Sequence, residues 1–174
     1  PSFSKTGIPF IRATNIKKGR ISKKDMLYID GSEAKKIKKC KLKKNDMIIV
    51  RSGVNTGDCA VVTEEYEGSY GGYDIIFHTS PDKLNPIFLN ELLNQDNPRL
   101  VLEKLSVRAG QPHLNSKQIS NFEVIKPPIE LQDKFANIVK QVDRIVQYQK
   151  QSKYQLDNLY NALMQKAFKG ELSC

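Results

Sequence analysis

Three polar, glycine-bearing stretches carry the side chains best suited to chemistry on a partner. They are Arg51-Ser52-Gly53-Val54-Asn55-Thr56-Gly57-Asp58, Ser69-Tyr70-Gly71-Gly72-Tyr73-Asp74 and Val107-Arg108-Ala109-Gly110-Gln111-Pro112-His113-Leu114-Asn115. Glycine lets backbone approach a ligand closely. Arg and Lys suit guanine O6/N7, Asn and Gln suit adenine N6/N7, and Tyr stacks or hydrogen-bonds. Arg51, Asn55, Tyr70, Tyr73, Arg108, Gln111 and His113 are therefore candidate base-reading residues. For each one alone, the competing reading is an ordinary exposed loop residue.

Signs of catalysis are sparse. The Gly53-to-Gly57 spacing lacks the Gly-Lys-Ser/Thr ending of a phosphate loop, which argues against nucleotide binding. No Ser-His-Asp arrangement or pair of carboxylates stands out, and His113 is the only arguable base. With His78 and His113 the only histidines, neither a structural zinc nor a three-histidine catalytic site is expected. Cys40, Cys59 and Cys174 lack CxxC spacing and fit a reducing compartment better than a disulfide framework. No apolar run is long enough to span a membrane, and no signal peptide is visible, although Pro1-Ser2-Phe3 reads as a cut start. The expectation is a soluble, cytoplasmic binder without catalytic residues, metal or cofactor of its own.

Net charge is +9, and its placement says more than its size. Residues 1–51 hold 15 Lys/Arg against 4 Asp/Glu, while residues 52–174 hold 13 against 15. A field this lopsided suits a polyanion such as double-stranded DNA. Lys17, Lys18 and Arg20 join the candidate DNA-binding residues on this ground. The alternative is a lysine-rich solubilising surface, and lysines alone do not decide, since they bind phosphate without reading sequence.

The elements that must position these residues form an α+β pattern: a globular domain with a mainly β core over 1–126, then a long helical segment over 127–174. Strands are expected at Ile8–Ile11, Met47–Val50, Ala60–Val62 and Ile75–Phe77, with a last strand within Ile119–Ile125. Asn15 to Ile21 reads as a turn leading into a further strand. Ser32 would cap a short basic helix to Lys39, Pro86 would open a helix to about Asn94, and Leu100–Leu105 reads as helical. The second polar stretch, Ser69–Asp74, is expected as a flexible loop.

After Pro127-Pro128, residues from Ile129 to about Lys169 contain neither proline nor glycine, and Gly170 offers a left-handed stop. Phe135, Ile138, Val142, Ile145, Leu156, Leu159 and Leu163 recur at three-four spacing, a coiled-coil seam. Gln149 and Ser152 occupy the central a and d positions. If two copies pack antiparallel, Val142 meets Leu159, Ile145 meets Leu156 and Gln149 meets Ser152, a polar layer that sacrifices stability but fixes register. Alternatively the seam packs on its own domain.

These residues also carry a resemblance. Gly7-Ile8-Pro9-Phe10-Ile11-Arg12-Ala13-Thr14-Asn15-Ile16-Lys17-Lys18-Gly19 resembles the opening of a target-recognition domain from the specificity subunit of type I restriction-modification systems. Lys44-Asn45-Asp46-Met47-Ile48-Ile49-Val50-Arg51-Ser52-Gly53 is similar to a further segment of that domain. Gly110-Gln111-Pro112-His113-Leu114-Asn115 with Val124-Ile125-Lys126-Pro127-Pro128-Ile129-Glu130-Leu131-Gln132 resembles the approach to its spacer helix, and Ala167-Phe168-Lys169-Gly170-Glu171-Leu172 that helix's end. Each motif alone is loose, but their shared order covers nearly the whole chain.

The resemblance implies a non-catalytic subunit that reads one half of a split DNA target. It implies recruitment of methyltransferase (modification) subunits using S-adenosylmethionine, and through the complex a restriction subunit using ATP and magnesium. Family subunits usually carry two recognition domains and two helices, so one of each implies a half-subunit, paired with a second copy or another half. The alternatives are the specificity component of a type II-like enzyme and an assembly module that binds protein, not DNA, through the helix. A catalytic DNA-modifying domain is disfavoured by the missing motifs.

Overall fold

The computed structural model describes residues 1–72, 74–107 and 112–171. Its centre is β5 (Asp46–Ile49), flanked by β6 (Cys59–Val61) and β8 (Ile75–His78) in an antiparallel sheet of order β6-β5-β8. Side chains alternate between the faces of a strand, and here both faces are covered. Met47 and Ile49 join a cluster with Leu89, Leu93, Leu102 and Leu114. Ile48 and Val50 join a second cluster with Ile11, Ile16, Leu42, Ala60 and Val62. All four β5-side residues from Met47 to Val50 are completely buried, so this continuous apolar run is a central strand and not a half-exposed one.

A second sheet has the order β4-β1-β7. Here β1 (Ile8–Ile11) pairs antiparallel with β4 (Leu27–Ile29) and parallel with β7 (Tyr70–Gly71). The expected flexible loop at Ser69–Asp74 is thus in part a strand. A Cβ on Gly71 would lie 2.9 Å from Ile76 Cδ1, so a larger residue there would have to displace the end of the Ile76 side chain. Asn15 to Ile21 forms a hairpin of β2 (Ile16–Lys17) and β3 (Arg20–Ile21). Lys18 and Gly19 fill its turn at φ 44° and 81°, the double left-handed geometry of a type I′ turn.

The short basic helix, α1 (Gly31–Lys36), begins one residue before Ser32. Asp30, not Ser32, caps it by accepting from the main-chain N–H groups of Ser32 and Glu33. A carboxylate caps as well as a hydroxyl and also favours the positive end of the helix. Helix α2 (Pro86–Leu93) is capped by Asn85, and α3 (Asp96–Ser106) begins earlier than its apolar residues indicate. The expected last strand is absent from the described residues of Ile119–Ile125. Helix α4 (Ser116–Ser120) ends there, and Phe122 and Val124 dock on the first cluster without a strand to pair with.

The described chain divides into two compact units, Pro1–Asp133 and Lys134–Cys174. Gln132 is completely buried in the first unit, where its Oε1 accepts from the Asn85 main-chain N–H and its Nε2 donates to the Pro127 carbonyl. Helix α5 runs Ile129–Phe168, 40 residues or about 60 Å. It ends in a Schellman turn. Gly170 at φ 70° donates to the Ala167 carbonyl, and the Glu171 N–H donates to the Lys166 carbonyl.

Candidate nucleic-acid interface

The three polar stretches meet at Arg51, the residue that follows β5 and Val50. Its main-chain carbonyl accepts from the Leu114 N–H at 2.7 Å, and Ser52 forms a bridge to His113. Its side chain donates to His113 Nε2 from Nε at 3.2 Å and from Nη2 at 2.6 Å. Its main-chain N–H donates to the Asp74 carboxylate, and burial pushes that carboxyl up to about 6 against the pull of Arg51. In the sequence Arg51 and His113 fall in separate loops, and Asp74 carries no signal, because a carboxylate whose partner is a main-chain N–H leaves no side-chain pattern to find.

The first loop is self-braced. Thr56 Oγ1 donates to the Gly53 carbonyl at 2.6 Å, the Gly57 N–H donates to the Val50 carbonyl at 2.9 Å, and both glycines have positive φ. Val54 stands at the tip with its side chain entirely in solvent, a residue the sequence reading did not single out. Asn55 is half-buried, and its side-chain Nδ2 donates to the Ala13 carbonyl at a long 3.4 Å. Tyr70 corrects the expectation: it is 7% exposed, paired to Phe10 and packed with Ile29 and Ala34, so it belongs to the core and not to a reading surface. Tyr73, Arg108 and Gln111 lie outside the described residues.

Lys17 and Lys18 are exposed at the β2–β3 turn, whose Gly19 carbonyl is gripped by Asn90 Nδ2 at 3.1 Å. Both act on Asp58, which Arg99 meets at 2.8 Å. Burial raises the Asp58 carboxyl, and these cations oppose the shift. Arg20 differs from its neighbours in being engaged by Glu91 at 2.6 Å. Other members of the basic segment are also paired, Lys23 with Glu65, Lys36 with Glu33 and Lys44 with Glu64. The amino-terminal charge excess is thereby locally reduced, and Lys17 and Lys18, like Lys24, Lys35, Lys38, Lys39, Lys41 and Lys43, are exposed cations without an ion pair among the described residues.

Elsewhere on this unit, Pro98, Val101, Leu105, Phe122 and Ile125 line an open, largely apolar groove of about 830 Å³. Its chemistry does not suit base edges or phosphates. Among the described residues no three His, Cys, Asp or Glu side chains group to hold a metal ion, and no helix is long and apolar enough to cross a membrane. Cys59 is buried, and burial pushes its thiol up to about 12.

On α5 the seam residues Phe135, Ile138, Val142, Ile145, Leu156, Leu159 and Leu163 are between 41% and 66% exposed. Gln149 and Ser152, midway along, are exposed too.

A family model for the type I restriction modification DNA specificity domain matches residues 3–158. The specificity subunit of the type I restriction enzyme EcoKI from Escherichia coli K12 is 23% identical over 193 residues, covering 99% of this chain and 39% of that protein. The EcoBI specificity subunit from Escherichia coli is 26% identical over 175 residues, covering 97% of this chain and 36% of that one. In structure, the HsdS subunit from Thermoanaerobacter tengcongensis superposes with a TM-score of 0.61 at 18% identity, over 93% of this chain and 42% of that one. The chain thus spans about two fifths of the length of these relatives and shares the fold of the last, a mixed α/β globule followed by a long helix. With the family match running through both units, the chain belongs to the type I restriction modification DNA specificity domain family.

Proposed function

We propose that this chain reads DNA sequence as half of a type I specificity subunit, with residues 1–126 recognising one half of a split target and residues 127–174 forming the pairing helix. The observation that carries this reading is the convergence on Arg51 of the loop after β5, Asp74 and the His113-Leu114 stretch, in a chain of this family. Base readout needs several polar side chains held at one place by a rigid scaffold, and β5 with its two packed faces supplies that scaffold. The chain itself performs no chemistry. It recruits methyltransferase (modification) subunits, which use S-adenosylmethionine, and through the assembly a restriction subunit dependent on ATP and magnesium, in the cytoplasm.

A mobility-shift titration at several salt concentrations, with competitors selected from a random duplex pool, tests the reading. Selective retention of one motif is expected, with affinity falling linearly in log–log salt plots. Equal competition by every duplex would sink it in favour of the assembly module, which the exposed seam of α5 supports. For the helix we propose antiparallel pairing with a second copy or a second half-subunit, Val142 facing Leu159, Ile145 facing Leu156 and Gln149 facing Ser152.

A further inference from the structure

The tie between Arg51 and His113 restricts what Arg51 can touch. Arginine has no acceptor, so Nε and Nη2 both donate and the imidazole must present a lone pair at Nε2. His113 is therefore neutral in this arrangement, its proton on Nδ1. The Arg51 main chain is fixed as well, by Asp74 on one side and Leu114 on the other. Left over is the end of the guanidinium, the Nη1 hydrogens with the outer Nη2 hydrogen, for which the described residues provide no hydrogen-bonded acceptor.

We propose that this free edge grips a DNA phosphate and not a base, and that His113 is the positioning residue that aims it; the assignment rests on the DNA-binding reading above. Reach is the first reason. Reading guanine takes a side chain extended into a groove about 8.5 Å deep, whereas Arg51 is half-buried and anchored along its Nε edge. In the same loop Val54 is entirely in solvent, so Arg51 is much less exposed than the residue three positions on. Chemistry is the second reason. The planar end of a guanidinium matches two phosphate oxygens at once. Asp74 accepts from the Arg51 main-chain N–H, which leaves the planar end of the guanidinium to another acceptor.

The test uses the 174-residue chain and a duplex it selects from a random pool, scanned with single methylphosphonate linkages that each remove one phosphate charge. One linkage is expected to lower wild-type affinity about tenfold. Arg51→Ala should lose a similar factor on every sequence, no longer sense that linkage, and reduce the salt slope by about 1. Arg51→Gln, which keeps the stem and a donor toward His113, carries the same comparison if the alanine variant melts too early. His113→Gln, whose amide oxygen still accepts, should stay within about threefold of wild type, while His113→Phe should lose as much as Arg51→Ala. The proposal is overturned if Arg51→Ala relaxes preference at one base pair by roughly 5- to 150-fold while the linkage scan is unchanged. Wild-type affinity from His113→Phe would remove the positioning role. A wild type that selects no sequence and ignores every linkage would overturn the DNA reading itself, and this assignment with it.

Discussion

The globular unit and the long helix use the same apolar residue types in opposite ways. Between Met47 and Val50 four consecutive side chains are completely buried, on both faces of one strand. Along α5 a stripe of similar residues is around half exposed from Phe135 to Leu163. A strand with two covered faces has found its partners within its own unit. An amphipathic helix gains most of its stability by burying its apolar face against something else, and alone it is marginal in water. The contrast teaches that the first unit is a finished fold, while the seam of the second stays largely exposed to solvent.

The largest expected effect breaks the finished half. Ile48→Ala should cost about 2–5 kcal/mol, read as a lower urea midpoint that does not depend on protein concentration. A concentration-dependent midpoint would mean that the globular unit also leans on a partner. Next is the pH response of Asp74, whose folded pKa of about 6 stands above the ordinary 3.8. A raised carboxyl contributes stability that is fully present below about pH 4 and lost as pH rises through about 6, because the folded state holds its proton longer. Asp74→Asn should accordingly stabilise at pH 7.5 by roughly 2–3 kcal/mol and make no difference at pH 3.5. Equal effects at both values would refute burial as the cause.

Smaller again is Asp30→Ala, which removes the cap of α1 and should cost about 1 kcal/mol in thermal melts, with Ser32→Ala near neutral. The smallest effect on folding belongs to the seam. Ile145→Asp should leave the urea midpoint of the dilute chain within about 0.5 kcal/mol of wild type, yet weaken self-association by more than tenfold in sedimentation. If it destabilises the dilute chain instead, the seam is covered within the chain and the contrast between the two regions fails.

Much of this architecture was legible because it rests on short-range physics. The proline pair, the three-four spacing and Gly170 define α5 with little help from tertiary structure, and the apolar run at Met47–Val50 marks the central strand. The misreadings share a cause. Tyr70-Gly71 has the composition of a loop and becomes a strand because β1 supplies a parallel neighbour far upstream. Phe122 and Val124 alternate like a strand, but among the described residues no strand pairs with them, so the alternation serves docking on the core. At the candidate interface the residue types were visible. Their union at Arg51 was not, because it depends on main-chain hydrogen bonds that any residue can make.

The parallel pairing of Phe10 with Tyr70 and Ile11 with Gly71 also sets a timetable. As the chain leaves the ribosome, β1 can join β4 early, but its other edge waits for Tyr70 and Gly71 to emerge. At about 5–20 residues per second that interval is roughly 3–12 seconds. Throughout it an apolar strand presents unpaired N–H and C=O groups to any passing strand. Nascent copies crowded on one message are therefore the setting in which this protein is most exposed to mispairing, and slower synthesis across the middle of the domain prolongs the risk.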